Sequence, residues 1–450
     1  MYCHGNTSAL PFFQRPLSKL VTSLNQNVVK IETSSTMTFL EKEVLIKLHK
    51  LFFNEINAFY EKCITNNNKT FGCITSGGTV ANLTAMWVAR NNAFPKTEDF
   101  EGIEKEGVIS ALKYYEYNDM AIVGSELMHY SFRKAADILG LGLNNIYSIP
   151  TDSEYKMRTD LLIKKLEELK LKRIKVIALI GIACTTEVGS IDNLEVLAEI
   201  AKKYNIFFHV DGAWGGSFII SDKYKYLLKG IEKADSITID GHKLLYTPMG
   251  CGVILFKSPY IASKTIKKVA SYIIRENSMD HGKTTLEGSR PANILYLHAS
   301  LTLLGQHGLS TLLDMAIYNT KYMASLKCNY KIDKQSDPIF KDNLNKNINY
   351  YNLSNENNSK LNNSLYSKEE NQIISYFTNE LQFRQKKYGK GFVSKTTIKS
   401  AKYSNCKDGI SVFRVVIANP LVTKENIKFV IEEQIKFGLD LEKEKSNFIN

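Results

Sequence analysis

The chain has 450 residues, 44% of them apolar, which exceeds the size at which one hydrophobic core keeps growing and predicts a large domain with a smaller one beside it. No run reaches the roughly 18 uninterrupted apolar residues of a membrane helix, the first residues lack the order of a secretory signal, and the seven cysteines (Cys3, Cys63, Cys73, Cys184, Cys251, Cys328, Cys406) never form a Cys-x-x-Cys pair, which argues against a membrane span, a disulfide framework and a zinc site, and the cytoplasm is expected. The formal charge of +12 lies in scattered Lys with no nucleic-acid-binding motif, so a nucleic-acid partner is not expected.

In chain order, residues 1–60 read as a helical segment, with TFLEKEVLIKLHKLFFNEINAFY spacing its apolar residues at helical steps after Thr38 as a possible cap. Residues 61–305 then alternate short apolar runs with amphipathic stretches. Strands are predicted at 121–124, 175–183, 205–210, 236–239 and 251–256, and helices at TDLLIKKLEELKLK and NLEVLAEIAKKYN. This alternation predicts an α/β large domain, a mostly parallel sheet with helices on both faces. Residues 306–450 form a small C-terminal α/β domain, interrupted at 331–370 by a stretch of Asn, Lys and Ser that reads as a loop. Its elements are ISYFTNELQFRQKKYG, a strand at 410–418 and a closing helix TKENIKFVIEEQIKFG.

Three strings carry chemistry. In TSGGTVANLTAMWVARN, Gly77 and Gly78 are flanked by Ser76 and Thr79 and followed by a helix; backbone N–H groups there suit a phosphate, with a glycine-containing helix cap as the alternative. HVDGAWGGSF places Asp211 at the end of an apolar strand, where α/β proteins bind ligands; a helix cap is the alternative, and only His209 is near enough in sequence to share a metal. In ADSITIDGHKLLYTPMGCGVILF, Lys243 lies between two apolar segments. Desolvation there lowers an amine's pKa and makes it a nucleophile toward an aldehyde, although lysines on surface turns are common.

These strings, in this order, resemble the fold-type-I pyridoxal-phosphate enzymes, in particular the group II amino-acid decarboxylases. SELMHYSFRKAADILG, ACTTEVGSIDNL, LEGSRP and FRVVIANPLVT add to the likeness, and TSALPFF, LNQNVVK and GHKLLYTPMG resemble its bacterial aspartate 1-decarboxylase and glutamate decarboxylase branch. The resemblance implies pyridoxal 5'-phosphate as cofactor, bonded through Lys243, with His242 near its phosphate. Asp211 would pair with the pyridine nitrogen, His129 would stack on one ring face and Ala213 would close the other. Ser76, Gly77, Gly78 and Thr79 would hold the phosphate, Thr186 would lie near the phenolic side, and Arg414 would grip the substrate carboxylate. It also implies a homodimer, with Ser289 and Arg290 reaching the partner's phosphate.

The implied reaction is α-decarboxylation of a small acidic amino acid, L-aspartate to β-alanine first and L-glutamate to 4-aminobutyrate second. The chain departs from the family in three ways. Gly212 replaces the usual Ala, which should loosen the wall by a methyl group. ENSMDHGKTT lacks the loop tyrosine of animal glutamate decarboxylases, which leaves His129, Tyr272 and His281 as candidate proton donors. The segment that precedes the His4 region in the family is missing, and a truncated, non-catalytic remnant is the alternative reading.

Overall fold

The computed structural model describes residues 9–64, 66–269, 278–329, 368–399 and 409–449. They divide into two compact units, Leu10–Ser310 and Thr311–Asn450.

The first unit is built on seven strands: β1 (Gly72–Thr75), β2 (Asp119–Ser125), β3 (Ile146–Ile149), β4 (Ile174–Ile182), β5 (Phe207–Asp211), β6 (Ser236–Asp240) and β7 (Gly252–Phe256). Their order across the sheet is β1-β7-β6-β5-β4-β2-β3. Strands β3, β2, β4, β5 and β6 are mutually parallel, as their unbroken apolar runs imply; the last seven residues of β4 are all buried. Strand β7 runs antiparallel to both β6 and β1. The connection from Asp240 to Gly252 contains no helix, and a parallel return would need a crossover of a dozen or more residues.

Helix Gly78–Ala93 is pressed on this sheet by Ala81, Ala85, Met86 and Ala89, which are fully buried with Met120, Ile122, Ile180 and Ile254. Its alanines bring the helix axis close to the strands, and each fully buried large apolar side chain beneath adds roughly 1.5–3 kcal/mol. The long N-terminal helix is shorter than its periodicity suggests. It runs over Thr36–Phe53 and stops where Asn54 takes a left-handed conformation (φ 47), and a second helix covers Asn57–Ile64. Thr38 is therefore buried inside the first turn and does not cap it. The N-terminal segment is part of this unit: Gln14 donates from Nε2 to the Tyr296 carbonyl (3.1 Å) and to Ser300 Oγ (2.9 Å).

In the second unit, helices Lys368–Tyr388 and Lys424–Ile449 flank a hairpin of β8 (Ser394–Ile398) and β9 (Ile410–Arg414). Leu381, Val393, Phe413 and Val430 form one cluster of its core. Strand β9 ends at Arg414, four residues before the expected end at 418. Of the Asn-rich stretch, 331–367 lies outside the described residues and 368–370 already belong to a helix.

Candidate active site

The carboxyl ends of β1, β2, β4, β5 and β6 meet at one edge of the sheet, the edge where open α/β sheets bind ligands. Register puts Ile182, Asp211 and Thr238 in one cross-strand row, and Thr75, Gly252 and Asp240 in another. The turn that follows β1 crosses directly over β7. A Cβ on Gly252 would stand 2.6 Å from the Gly77 backbone, so only glycine permits that crossing. Helix Gly78–Ala93 opens behind the turn, and a Cβ on Gly78 would meet Asp240 Oδ2 at 2.8 Å.

Lys243 follows β6 by three residues and places Nζ 3.0 Å from Asp240 Oδ2. His242 Nε2 lies 3.7 Å from the same oxygen. Asp240 Oδ1 and His242 Nδ1 are buried and lack hydrogen-bond partners among the described residues. Ser76 is exposed, and its N–H donates to Glu287 Oε2 (3.1 Å), so the start of the glycine turn already binds an anionic oxygen.

Asp211 is buried at the end of β5. Its Oδ1 accepts from the Ala213 N–H (3.1 Å) and its Oδ2 from Asn82 Nδ2 (3.0 Å). Asn82 Nδ2 also donates to Ser131 Oγ (3.0 Å), whose hydroxyl lies 2.9 Å from His129 Nδ1. On the far side, Asn82 Oδ1 meets His209 Nε2 (3.1 Å), and His209 Nδ1 meets Ser236 Oγ (2.8 Å). Burial lowers the pKa of His129; Asp211 and Asp240 oppose that fall and Lys243 adds to it, which places all four groups in one electrostatic neighbourhood. Burial also lowers His209, to about 4.

Other expected residues lie differently. Thr186 is exposed, whereas its neighbour Thr185 is buried, with Oγ1 3.0 Å from Ser190 Oγ. Gly212 does not loosen a wall: a Cβ there would come within 3.0 Å of the Thr238 carbonyl and 3.2 Å of Gly216, so the chain has closed over the missing methyl. His281 Nδ1 sits 3.3 Å from Glu41 Oε1, in a buried cluster that Arg290 completes. Arg290 Nη1 donates to Glu41 (3.1 and 3.3 Å) and to the Ile74 carbonyl (2.7 Å), so this guanidinium is engaged inside its own chain. Ser289 Oγ accepts from Asn27 Nδ2 (3.0 Å). Arg414 ends β9 in the second unit, and Tyr272 lies outside the described residues.

A lysine amine, a buried carboxylate, a histidine and a glycine turn at a helix start gather at one edge of the sheet, and residues 17–335 match the pyridoxal-dependent decarboxylase conserved domain. The chain belongs to this family. It is 41% identical to an aspartate 1-decarboxylase of Aliivibrio fischeri over 434 residues, covering 95% of this chain and 77% of that protein. An acidic amino acid decarboxylase of Xenopus tropicalis is 28% identical over 82% of this chain and 68% of its own length. The crystal structure of mouse CSAD superposes with a TM-score of 0.77 at 22% identity, covering 96% of this chain and 82% of that one; it shares the fold.

The protein is thus a pyridoxal-phosphate-dependent amino-acid decarboxylase, a carboxy-lyase of the fold-type-I class. Its residues fit that cofactor. Lys243 would offer an amine to the aldehyde, Asp211 a buried carboxylate to the ring nitrogen, and the Ser76 N–H, which here donates to a carboxylate oxygen, a donor to the phosphate. Among the described residues, no helix is long and apolar enough to cross a membrane. Sequence reasoning missed Asn82, Ser131 and Asp240 as members of this crevice. Asn82 lies one helical turn past Gly78, and Asp240 is three residues from Lys243.

Proposed function

We propose that this decarboxylase acts on L-aspartate, releasing its α-carboxylate as carbon dioxide and taking up a proton at the same carbon to leave β-alanine. L-Glutamate, one methylene longer, is the second substrate, giving 4-aminobutyrate. What carries the reading is the likeness, over nearly the whole chain, to a relative named for aspartate. The Xenopus tropicalis relative, named for acidic amino acids, supports the same substrate class.

Pyridoxal phosphate supplies the electron sink that accepts the pair left behind when the carboxylate departs. Lys243 would hold the cofactor's aldehyde carbon, and Asp211 would pair with the ring nitrogen, where a positive charge strengthens that sink. His129 would cover one ring face and Ala213 the other. Ser76, Gly77, Gly78 and Thr79 would hold the phosphate with His242 beside it, and Thr186, exposed in this structure, would serve the phenolic oxygen. Arg414 clamps the substrate α-carboxylate, a planar fork on a planar anion. His281 is committed to Glu41, so His129, beside Asp211 and Lys243, is the better-placed proton donor. The enzyme works as a homodimer in the cytoplasm.

The test is direct. Purified protein loaded with cofactor is given aspartate or glutamate, and carbon dioxide and the amine product are measured. Borohydride reduction followed by peptide mapping should place the label on Lys243. Faster turnover of glutamate, or a label on another lysine, overturns the respective part.

A further inference from the structure

Asn82 touches more of this site than any residue so far given a role in it, and its two ends face different partners. It is 1% exposed, and Asp211, Ser131, His209 and Ser236 around it are all buried, so each polar atom must find its partner within the protein. That requirement fixes the direction of every hydrogen bond in the group. An ionised Asp211 can only accept, so Asn82 must turn its NH2 toward Oδ2 (3.0 Å) and its carbonyl oxygen toward His209. His209 Nε2 must then carry a hydrogen. Complete burial keeps this ring neutral, and its Nδ1 lies 2.8 Å from the Ser236 hydroxyl.

The second hydrogen of the same NH2 goes to Ser131 Oγ (3.0 Å). The Ser131 N–H donates to His129 Nδ1 (3.3 Å), which makes that nitrogen an acceptor, so the Ser131 hydroxyl, 2.9 Å away, gives its own hydrogen to it as well. His129 Nδ1 is therefore an acceptor twice over, and the proton of the neutral ring sits on Nε2. One amide orders both branches.

We propose that Asn82 is a positioning residue of this decarboxylase: its buried amide orients the Asp211 carboxylate and, through Ser131, fixes the proton of His129 on Nε2. The proposal rests on the reading that Asp211 pairs with the ring nitrogen, and it adds what holds that carboxylate in place. Without the Asn82 donor, only the Ala213 N–H fixes Asp211, and the carboxylate is free to turn away from the ring nitrogen. Ser131 reaches the histidine only, so the two branches can be tested apart.

The experiment uses holoenzyme reconstituted with pyridoxal phosphate carrying 15N in its ring, compared across Asn82→Leu, Ser131→Ala, Asp211→Asn and a control. The control is Asn91→Leu, on the same helix, where another buried amide donates to the Thr265 carbonyl (2.7 Å) away from the crevice. The primary readout is the 15N shift of the ring nitrogen. Cofactor affinity, kcat and KM are measured beside it, and histidine 15N spectra report the tautomer of His129. Asn82→Leu should move the ring-nitrogen shift toward its unprotonated value and lower kcat roughly ten- to a hundredfold with little change in KM, the range expected for a hydrogen bond to a charged group. Ser131→Ala should leave the ring shift in place and alter the His129 tautomer. Asn91→Leu should lower the melting temperature and leave both spectra as in the parent.

If Asp211→Asn moves the ring shift and Asn82→Leu does not, Asn82 has no positioning role and the reading of Asp211 stands. If Asp211→Asn leaves it unmoved, that underlying reading fails. A shift in Asn91→Leu equal to that in Asn82→Leu reduces the effect to general loosening and overturns the proposal. Should the leucine not be accommodated, Asn82→Ala, which only removes atoms, is read by the same criteria.

Discussion

Replacing Glu41 by Gln should destabilise the first unit, and the loss should depend on pH. Glu41 is 1% exposed. It accepts from Arg290 Nη1 (3.1 and 3.3 Å) and from the Ile74 N–H (3.2 Å), with His281 Nδ1 at 3.3 Å. Burial alone would raise its pKa, but Arg290, His281 and the Ile74 N–H together bring it down from 4.5 to about 2. A fall of that size corresponds to about 3 kcal/mol of stability. The folded pKa is depressed, so this contribution is complete above pH 4.5 and disappears as pH falls toward 2. Glu41→Gln keeps the shape but leaves the buried Arg290 without its anion, a loss on the order of 3–5 kcal/mol at neutral pH. Denaturant midpoints of parent and variant, taken from neutral pH down through that window, should differ widely at first and converge below 4.5. Cofactor affinity should fall as well, because Glu41 and Arg290 grip the backbone of Ile74, two residues before the Ser76 turn. A variant as stable as its parent, or a gap that stays constant with pH, refutes this account.

Three further outcomes are expected. Gly78→Ala puts a methyl 2.8 Å from Asp240 Oδ2, an oxygen already held by Lys243, so it should cost roughly 1–3 kcal/mol in the unfolding midpoint and weaken cofactor binding; a parent-like affinity shows that Asp240 can yield. Glu287→Gln should tighten cofactor binding by roughly fivefold, on the order of 1 kcal/mol, because the carboxylate that competes with phosphate for the Ser76 N–H loses its charge; a weaker cofactor in a titration would mean that Glu287 assists binding. Arg414→Lys should keep the cofactor's colour and lower kcat/KM more than tenfold, since loss of a bidentate pair costs about 2–5 kcal/mol; unchanged rates on aspartate and glutamate place this arginine outside the site.

The legible part of the fold was the part with period and contrast. Unbroken apolar runs marked β2, β4, β5, β6 and β7, and each lies within two residues of its expected bounds. β3, four residues at the sheet edge with only Ile149 buried, offers no such run, and β8, Ser-Lys-Thr-Thr-Ile, has a single apolar residue. Within the site, motif reading singled out Lys243, Asp211 and His129, which the fold brings into one neighbourhood, and passed over the residues that bond to them. Asn82 lies in an otherwise ordinary run of helix formers, and nothing local signals that its side chain faces a carboxylate 129 residues further on. Ser131 was closer to reach: a serine two residues after a histidine can bond its ring nitrogen within one turn. His209 shares a strand face with Asp211, since residues two apart on a strand point the same way. The Arg290 contact lay beyond motif reading because Glu41 sits in a helix 249 residues away and no sequence spacing can announce it.

The charges at the crevice do not balance, and this bears on how the cofactor is held. Asp211, Asp240 and Glu287 face it, with Lys243 paired to Asp240 and Arg290 acting on Glu287, yet the ligand brings a phosphate. Each carboxylate is occupied separately. Asp211 is held by Asn82 and the Ala213 N–H, Asp240 by Lys243, and Glu287 by the Ser76 N–H. A cofactor that engages Lys243 removes the cation from Asp240, whose Oδ1 already lacks a partner among the described residues. The nearest remaining donor is His242, 3.7 Å from Oδ2 and with a buried, unpaired Nδ1. With the phosphate beside it, as proposed, this histidine would meet the carboxylate with one ring nitrogen and the phosphate with the other, and so join the two halves of the crevice.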